Sequence, residues 1–207
     1  MPPLMAAVDN VARLRAIMGE PSAQVACKIH QRLNRRARDF IARCPMLFLA
    51  TVDAAGEPTV SPKGDEPGFV RVVDDHTLQL PERKGNKLVF SLQNILANPR
   101  VALIFLVPGT GETLRVSGTA TLLDDAGLCA SFAARDKPAL LVTQIAVHQC
   151  YFHCAKAFLR SGVWKPDTWS EEMQVSFGKE IAERGGLAEA DIEAFDRAVH
   201  GRYQTDL

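Results

Sequence analysis

Net charge is what this 207-residue sequence most plainly lacks: 24 Lys and Arg residues are balanced by 24 Asp and Glu. A broad nucleic-acid surface needs a basic excess or stripe, so that class is set aside; local cationic pockets remain open, because a sum says nothing about distribution. Long apolar runs are also missing. The longest, "VALIFLV", is far too short to span a membrane, and the leading "MPPLMAAVDNVARLRAIMG" meets Asp9 and Arg13 before a signal-peptide core can form. The five cysteines (Cys27, Cys44, Cys129, Cys150 and Cys154) are odd in number and contain no CxxC, so free thiols in a reducing cytoplasm are expected rather than a disulfide framework. There is no Walker A sequence, no GxSxG, no internal repeat and no low-complexity tract. "GTGETL" is no dinucleotide fingerprint, since Leu114 stands where the third Gly belongs.

What is present is an ordinary globular composition, 47% hydrophobic and 23% charged, enough to bury one domain core. Helical spacing covers residues 8–18 and 28–43, the latter with Ile29, Leu33, Ala37, Phe40 and Ile41 on one face. Met46 to Val52 reads as a strand, "DAAGEP" as a turn and Pro58 to Ser61 as a return strand. "GFVRVVDDHTLQLPE" reads as a second hairpin, turning near Asp74. A helix is expected from about Gly85 to Ala97, stopped where Pro99 forces Asn98 out of the helical region. "RVALIFLV" looks too apolar to be half exposed. The strand "TLRVSGTATLLDD" alternates, with Leu114, Val116 and Gly118 on one face and Arg115 and Ser117 on the other. A short helix within 124–134, a long strand "ALLVTQIAVHQCYFHC" and a helical tail complete the order. About six short strands joined by hairpins favour an antiparallel barrel of mainly β, α+β character. The expected division is residues 1–44 as N-terminal helices, 45–166 as the barrel and 167–207 as a helical extension.

Four stretches carry candidate chemistry. In "LPERKGNKL", Arg83 and Lys84 stand side by side before Gly85 and Asn86, at the expected helix start. Backbone N–H groups, the dipole end and two cations there suit a phosphate monoester; the alternative is a solvated turn. In "VSPKGDEPGF", Ser61, Lys63 and Asp65 alternate at a strand end, where a hydroxyl and an ammonium can reach the same phosphate or a ring carbonyl; an ordinary Pro/Gly turn is the competing reading. Arg115 lies mid-strand among apolar neighbours and needs a partner unless its face meets water. In "CYFHCAKAFLRSGVW", Cys150 and Cys154 share strand parity with His148, but the spacing matches no zinc pattern and no metal is expected. Lys156, Arg160 and Trp164 border a pocket on one reading; on the other, Trp164 is core or interface.

Taken together, "FLATVDAAGEPTVSPKGDEPGFVRVVDDHTLQLPERKGNKLVFSLQNILANPRVALIFLVPGTGETLRVSGTATL" resembles the pyridoxamine 5'-phosphate oxidase-like superfamily of FMN-binding split barrels. It is most like a bacterial branch of FMN-dependent enzymes with unassigned substrate. The lead-in "GEPSAQVACKIHQRL" and the exit "FHCAKAFLRSGVW" also resemble that branch. The resemblance implies FMN at the interface of a homodimer, with Arg83 and Lys84 holding its phosphate. Ser61 and Lys63 fall on the strand that lines the flavin. Thr113, Leu114 and Arg115 fall on the strand that meets it from the facing side, and Lys156, Arg160 and Trp164 roof it. The family's Arg-x-His substrate-phosphate motif is absent and a helical tail stands in its place, so vitamin B6 oxidation is not implied. The expectation is a cytoplasmic FMN-dependent oxidoreductase acting on a small molecule. The alternatives are a flavin-binding protein without catalysis, or the same barrel holding haem (through His148 or His153) or a deazaflavin. His153 is the one side chain considered as an acid or base; a packed strand-end His is the other reading.

Overall fold

The computed structural model describes residues 7–206. Its elements run α1 (Val11–Met18), α2 (Ala23–Ala26), α3 (Arg35–Ile41), β1 (Met46–Val52), β2 (Pro58–Gly64), β3 (Arg71–Val72), β4 (Thr77–Glu82), α4 (Phe90–Ala97), β5 (Arg100–Leu106), β6 (Thr113–Leu123), α5 (Ala126–Ala130), β7 (Leu141–His153), α6 (Lys156–Ser161), α7 (Phe177–Glu183) and α8 (Ile192–Thr205). The seven strands form one antiparallel sheet in the order β2-β1-β5-β6-β7-β4-β3. The sheet curls round a core that includes Leu33, Ile41, Leu47, Leu49, Leu78, Leu80, Leu103, Phe105, Leu114, Val116 and Ile145, all at most 1% exposed. No backbone ladder joins β2 to β4, so the barrel is split there. On the β2 side of that opening, side chains tie α4 to β1 and β2. Asn94 of α4 donates to Thr51 Oγ1 (3.1 Å) and Thr59 Oγ1 (3.0 Å), and Ser61 donates to Ser91 of α4.

Alternation on β6 places Leu114, Val116 and Gly118 inward and leaves Arg115 and Ser117 half-buried on the other face. A bulge falls between Ser117 and Gly118. A Cβ on Gly118 would lie 2.1 Å from the Ala146 carbonyl oxygen, so only glycine fits this approach.

Four sequence expectations need correction. Residues 28–34 are not helical: His30 N donates to Cys150 O (2.9 Å) and Cys150 N to His30 O (2.8 Å), pinning the lead-in to β7, and the helix begins only after Asn34, which caps it through the Ala37 amide. Ile29 is exposed as a result. The inserted helix begins at Phe90, not Gly85. Lys87 (φ 65°) and Val89 (φ 48°) occupy the left-handed region first, and no side chain caps the helix. For a β-branched residue such as Val89 that conformation is strained. The apolar β5 strand alternates rather than being buried throughout, with Ala102 exposed and Ile104 half-buried. In the tail, residues 170–176 are not helical; Ser176 caps α7 through the Lys179 amide, and α8 runs on past Gly201. No helix among the described residues is long and apolar enough to cross a membrane.

Candidate functional site

The split edge of the barrel gathers the first group of candidate residues. Leu47, Leu49 and Thr51 of β1 are buried, and their register partners are Lys63, Ser61 and Thr59. Period-2 alternation therefore turns Ser61 and Lys63 towards the barrel mouth. There Lys63 Nζ donates to Glu82 Oε2 (2.5 Å), and Thr143 Oγ1 donates to Glu82 Oε1 (2.8 Å). The Glu82 side chain is only 6% exposed. One residue on, Arg83 Nε donates to Asp65 Oδ2 (2.8 Å), and Arg135 reaches the other Asp65 oxygen at 3.3 Å. Burial acts to raise the Asp65 pKa, but the Glu66 amide and the Arg83 and Arg135 guanidinium groups outweigh it and hold the carboxyl below its ordinary value.

Lys84 points instead to the tail, where its Nζ donates to Asp206 Oδ1 (2.8 Å), and Lys137 Nζ donates to the Thr205 carbonyl (2.9 Å). Hydrogen bonding to Lys84 lowers the Asp206 pKa. Asn86 does not face this group; its side chain accepts from the Leu88 amide and shapes the loop. The Lys63–Glu82 and Arg83–Asp65 pairs form a latch across the split edge, and beside it lies an open cleft of about 440 Å³ lined by Met46, Pro62, Lys63, Asp65 and Arg135.

Thr113, Leu114 and Arg115 belong to a second location. Cross-strand register sets Pro62, Phe48, Ile104, Arg115 and Tyr151 in one row across β2, β1, β5, β6 and β7. Three strand spacings, about 14–15 Å, thus separate the backbones of β2 and β6. Leu114 points into the core, while Thr113 pairs with His153 in register. Burial first, then the charges of Arg115 and Lys28, hold the His153 imidazole below its ordinary pKa, which favours the neutral ring. His148 is exposed, its Nε2 lying 3.4 Å from Thr119 Oγ1.

The exit segment is a third location. Trp164 Nε1 donates to the Thr110 carbonyl (2.8 Å) and its ring stacks on Phe158, so the segment docks on the turn between β5 and β6 of its own chain. Lys156 and Arg160 are exposed on α6. Within one chain, then, the structure brings together Ser61, Lys63 and Arg83, with Lys84 beside them, and holds Thr113 to Arg115 and the exit residues elsewhere.

Sequence reasoning missed Glu82, Arg135, Ser91 and Asp206. Glu82 had a local signal, a carboxylate directly before two cations. Ser91 lies a few residues on in the same stretch but carries no mark of a role, and Arg135 and Asp206 come from positions far along the chain.

Do these residues fit a phosphate-bearing flavin? Arg83 spends Nε on Asp65, but its Nη1 is buried without a hydrogen-bond partner. A buried guanidinium N–H left open is costly and suits an incoming oxyanion. Lys63 and the Ser61 hydroxyl stand on the same face of β2, and Lys84 follows Arg83 with its ammonium turned to Asp206, so Arg83 with these β2 groups fits an anionic headgroup.

The pyridoxamine 5'-phosphate oxidase family model matches residues 33–154, and the chain belongs to that family. The match spans the barrel, and with the antiparallel open sheet it defines an α+β split barrel. Among solved structures, the chain is similar to a candidate pyridoxamine 5'-phosphate oxidase from Lactobacillus delbrueckii (28% identity, TM-score 0.47, covering 59% of this chain and 95% of that one). It is similar also to an FMN-binding protein from Syntrophomonas wolfei (11%, TM-score 0.43, 56% and 88%) and to HutZ, the haem storage protein from Vibrio cholerae (17%, TM-score 0.42, 58% and 94%). No curated protein matches the chain.

Proposed function

We propose that the chain is an FMN-dependent oxidoreductase acting on a small molecule as a homodimer. The observation that carries this reading is the unpartnered, buried Nη1 of Arg83 at the split edge of a barrel from this family. Arg83 and Lys84 would hold the phosphate, and Ser61 and Lys63 would line the cofactor from β2. Bound FMN would supply the redox chemistry. The chain's residues supply placement and charge: Arg83 offers a fork to oxyanions, and Lys63 and Arg115 set positive charge for a reduced, anionic ring. No side chain is assigned as a catalytic acid or base.

The dimer is part of the proposal. Thr113 to Arg115 lie three strands from Ser61 and Lys63 in one chain, so both groups reach one ligand most simply when two chains face each other. The outward row of the sheet supports this: Met46 is 38% and Val60 63% exposed, with Phe48, Ala102 and Ile104 beside them, leaving an apolar face open. Light scattering that finds a monomer in the FMN-loaded protein would contradict it.

The experiment is the visible spectrum of the purified protein, before and after FMN and then NADPH. A flavin band that bleaches with NADPH supports the oxidoreductase reading. A band that no donor bleaches leaves a flavin-binding protein without catalysis. Absence of a flavin band after reconstitution, with a Soret band on adding haem, overturns the FMN assignment.

A further inference from the structure

A second cavity, of about 390 Å³, lies at the end of the barrel between the lead-in to α3, the start of β6 and the last residues of β7. Its wall includes Lys28, His30, Arg36, Leu114, Tyr151 and Phe152. None of the residues fixed by the split edge lines it. The wall is firmly held. His30 and Cys150 exchange backbone hydrogen bonds, and the Cys150 thiol donates to the Arg32 carbonyl at 3.0 Å.

Charge distinguishes this cavity. Its lining holds Lys28, Arg36 and His30 but no Asp or Glu. The neighbouring arginines that do not line it are paired: Arg32 and Arg38 with Asp75, and Arg35 with Asp39. Lys28 and Arg36 have no carboxylate partner among the described residues; the Lys28 ammonium lies only over the Tyr151 ring, 5.9 Å from its centroid. Arg115, in register with Tyr151, adds a third unpaired cation nearby, and its buried Nε has no hydrogen-bond partner. Burial is the first cause of the depressed basicity of His153, and the charges of Arg115 and Lys28 add to it. Unpaired cations round a concave site, with aromatic rings on its wall, recognise a flat organic anion: cations take the anionic group and aromatic faces take the body. The volume lies at the lower end of the range for small-molecule sites, on the order of 300–1,000 Å³.

We propose that this cavity is a binding site for a small aromatic carboxylate, held between Lys28 and Arg36 against Tyr151 and Phe152. The cavity shares none of Ser61, Lys63, Arg83 or Lys84, but Leu114 lines it and Arg115 stands near it, and the proposed function gives both to the flavin; benzoate shifts that vanish once FMN is saturating would therefore assign the cavity to the flavin and overturn the proposal.

The test is an amide NMR titration of the full chain with sodium benzoate at constant ionic strength, with and without FMN, and with inorganic phosphate as a second probe. Saturable shifts at Lys28, Tyr151 and Phe152 are expected. The double variant Lys28→Ala, Arg36→Ala should bind benzoate at least tenfold more weakly, while Arg184→Ala, which removes an exposed cation on the tail, binds it unchanged. Both substituted side chains are exposed, and the variant's own spectrum verifies its fold. Three other results each overturn the proposal: no saturable benzoate shift, benzoate affinity unchanged in the double variant, or inorganic phosphate binding as well as benzoate, which would reduce the site to unselective attraction of anions.

Discussion

Lys63, Arg83 and Lys84 each meet a carboxylate, Glu82, Asp65 and Asp206 respectively, whereas Lys28, Arg36 and Arg115 meet none among the described residues. The two groups sit at different edges of the barrel and do different physical work. At the split edge, no backbone ladder joins β2 to β4, so charged pairs span a gap that hydrogen-bonded strands would otherwise close. Those pairs neutralise the cations that a phosphate would use, and an incoming anion must compete with them. The Nη1 of Arg83 is left without a hydrogen-bond partner, but it is buried. At the barrel end, backbone pairing between His30 and Cys150 already holds the wall, so cations there are not needed as struts and remain open to a ligand. The same residue types therefore serve as struts where side chains hold the fold and stay unpaired where the backbone holds it.

The sharpest way to break this comparison is at the phosphate group. Arg83→Ala with Lys84→Ala should weaken FMN binding more than a hundredfold, since a hydrogen bond to a charged group contributes about 1.5–3 kcal/mol. Arg135 still faces Asp65 in that variant, so the carboxylate keeps a cation. Unchanged FMN affinity by fluorescence titration would move the phosphate elsewhere.

Next in size is the strut itself. Glu82→Ala leaves Lys63 unpaired at 18% side-chain exposure and should lower stability to urea by about 3–5 kcal/mol. The double change Lys63→Met, Glu82→Leu should recover most of that loss, because two apolar groups need no partner. A double variant as unstable as the single one would show that the charges are not the issue.

Arg115→Met should do the reverse in the ligand-free chain. It removes a buried donor without a partner, so stability should hold or rise by about 1 kcal/mol. A clear loss on urea unfolding would reveal a partner for Arg115 and erase the contrast.

Acid should act on the split edge through Asp65. Its folded pKa lies below the ordinary 3.8, so the unfolded chain binds the proton more readily. The stability contributed by the ionised carboxylate is full above the unfolded value and is lost as pH falls through the folded one. Wild-type stability should therefore drop more steeply below about pH 4 than that of Asp65→Asn. Parallel curves would remove Asp65 from the latch.

The smallest effect on stability belongs to Asp206→Asn. Its pair with Lys84 is exposed and screened, so the melting temperature should barely change. FMN affinity should nonetheless rise, because a competing carboxylate is gone. A fall in affinity would instead make the tail part of the site.

Much of this was legible in residue order. Alternation in "TLRVSGTA" gave the two faces of β6, and the β1–β2 and β3–β4 hairpins followed from turn residues between apolar runs. The helix boundaries were less legible. The spacing of residues 28–34 suits a helix, but His30 pairs with a strand more than a hundred residues away and its backbone groups are taken. The expected start at Gly85 failed because Lys87 and Val89 adopt left-handed geometry that their side chains do not favour, which no propensity anticipates. The apolar β5 strand turned out two-faced because one side of an open sheet has nothing packed on it in a single chain.

Alternation, turn chemistry and local motifs act over a few residues, so residue order alone carried the hairpins and the family and marked Ser61, Lys63, Arg83 and Lys84 as candidates. Only the tertiary structure decided which cations are neutralised. Lys63 meets Glu82, Arg83 meets Asp65, and Lys84 meets Asp206 from the far end of the chain. Charge pairing depends on distance in space, and the folded path of the backbone sets that distance.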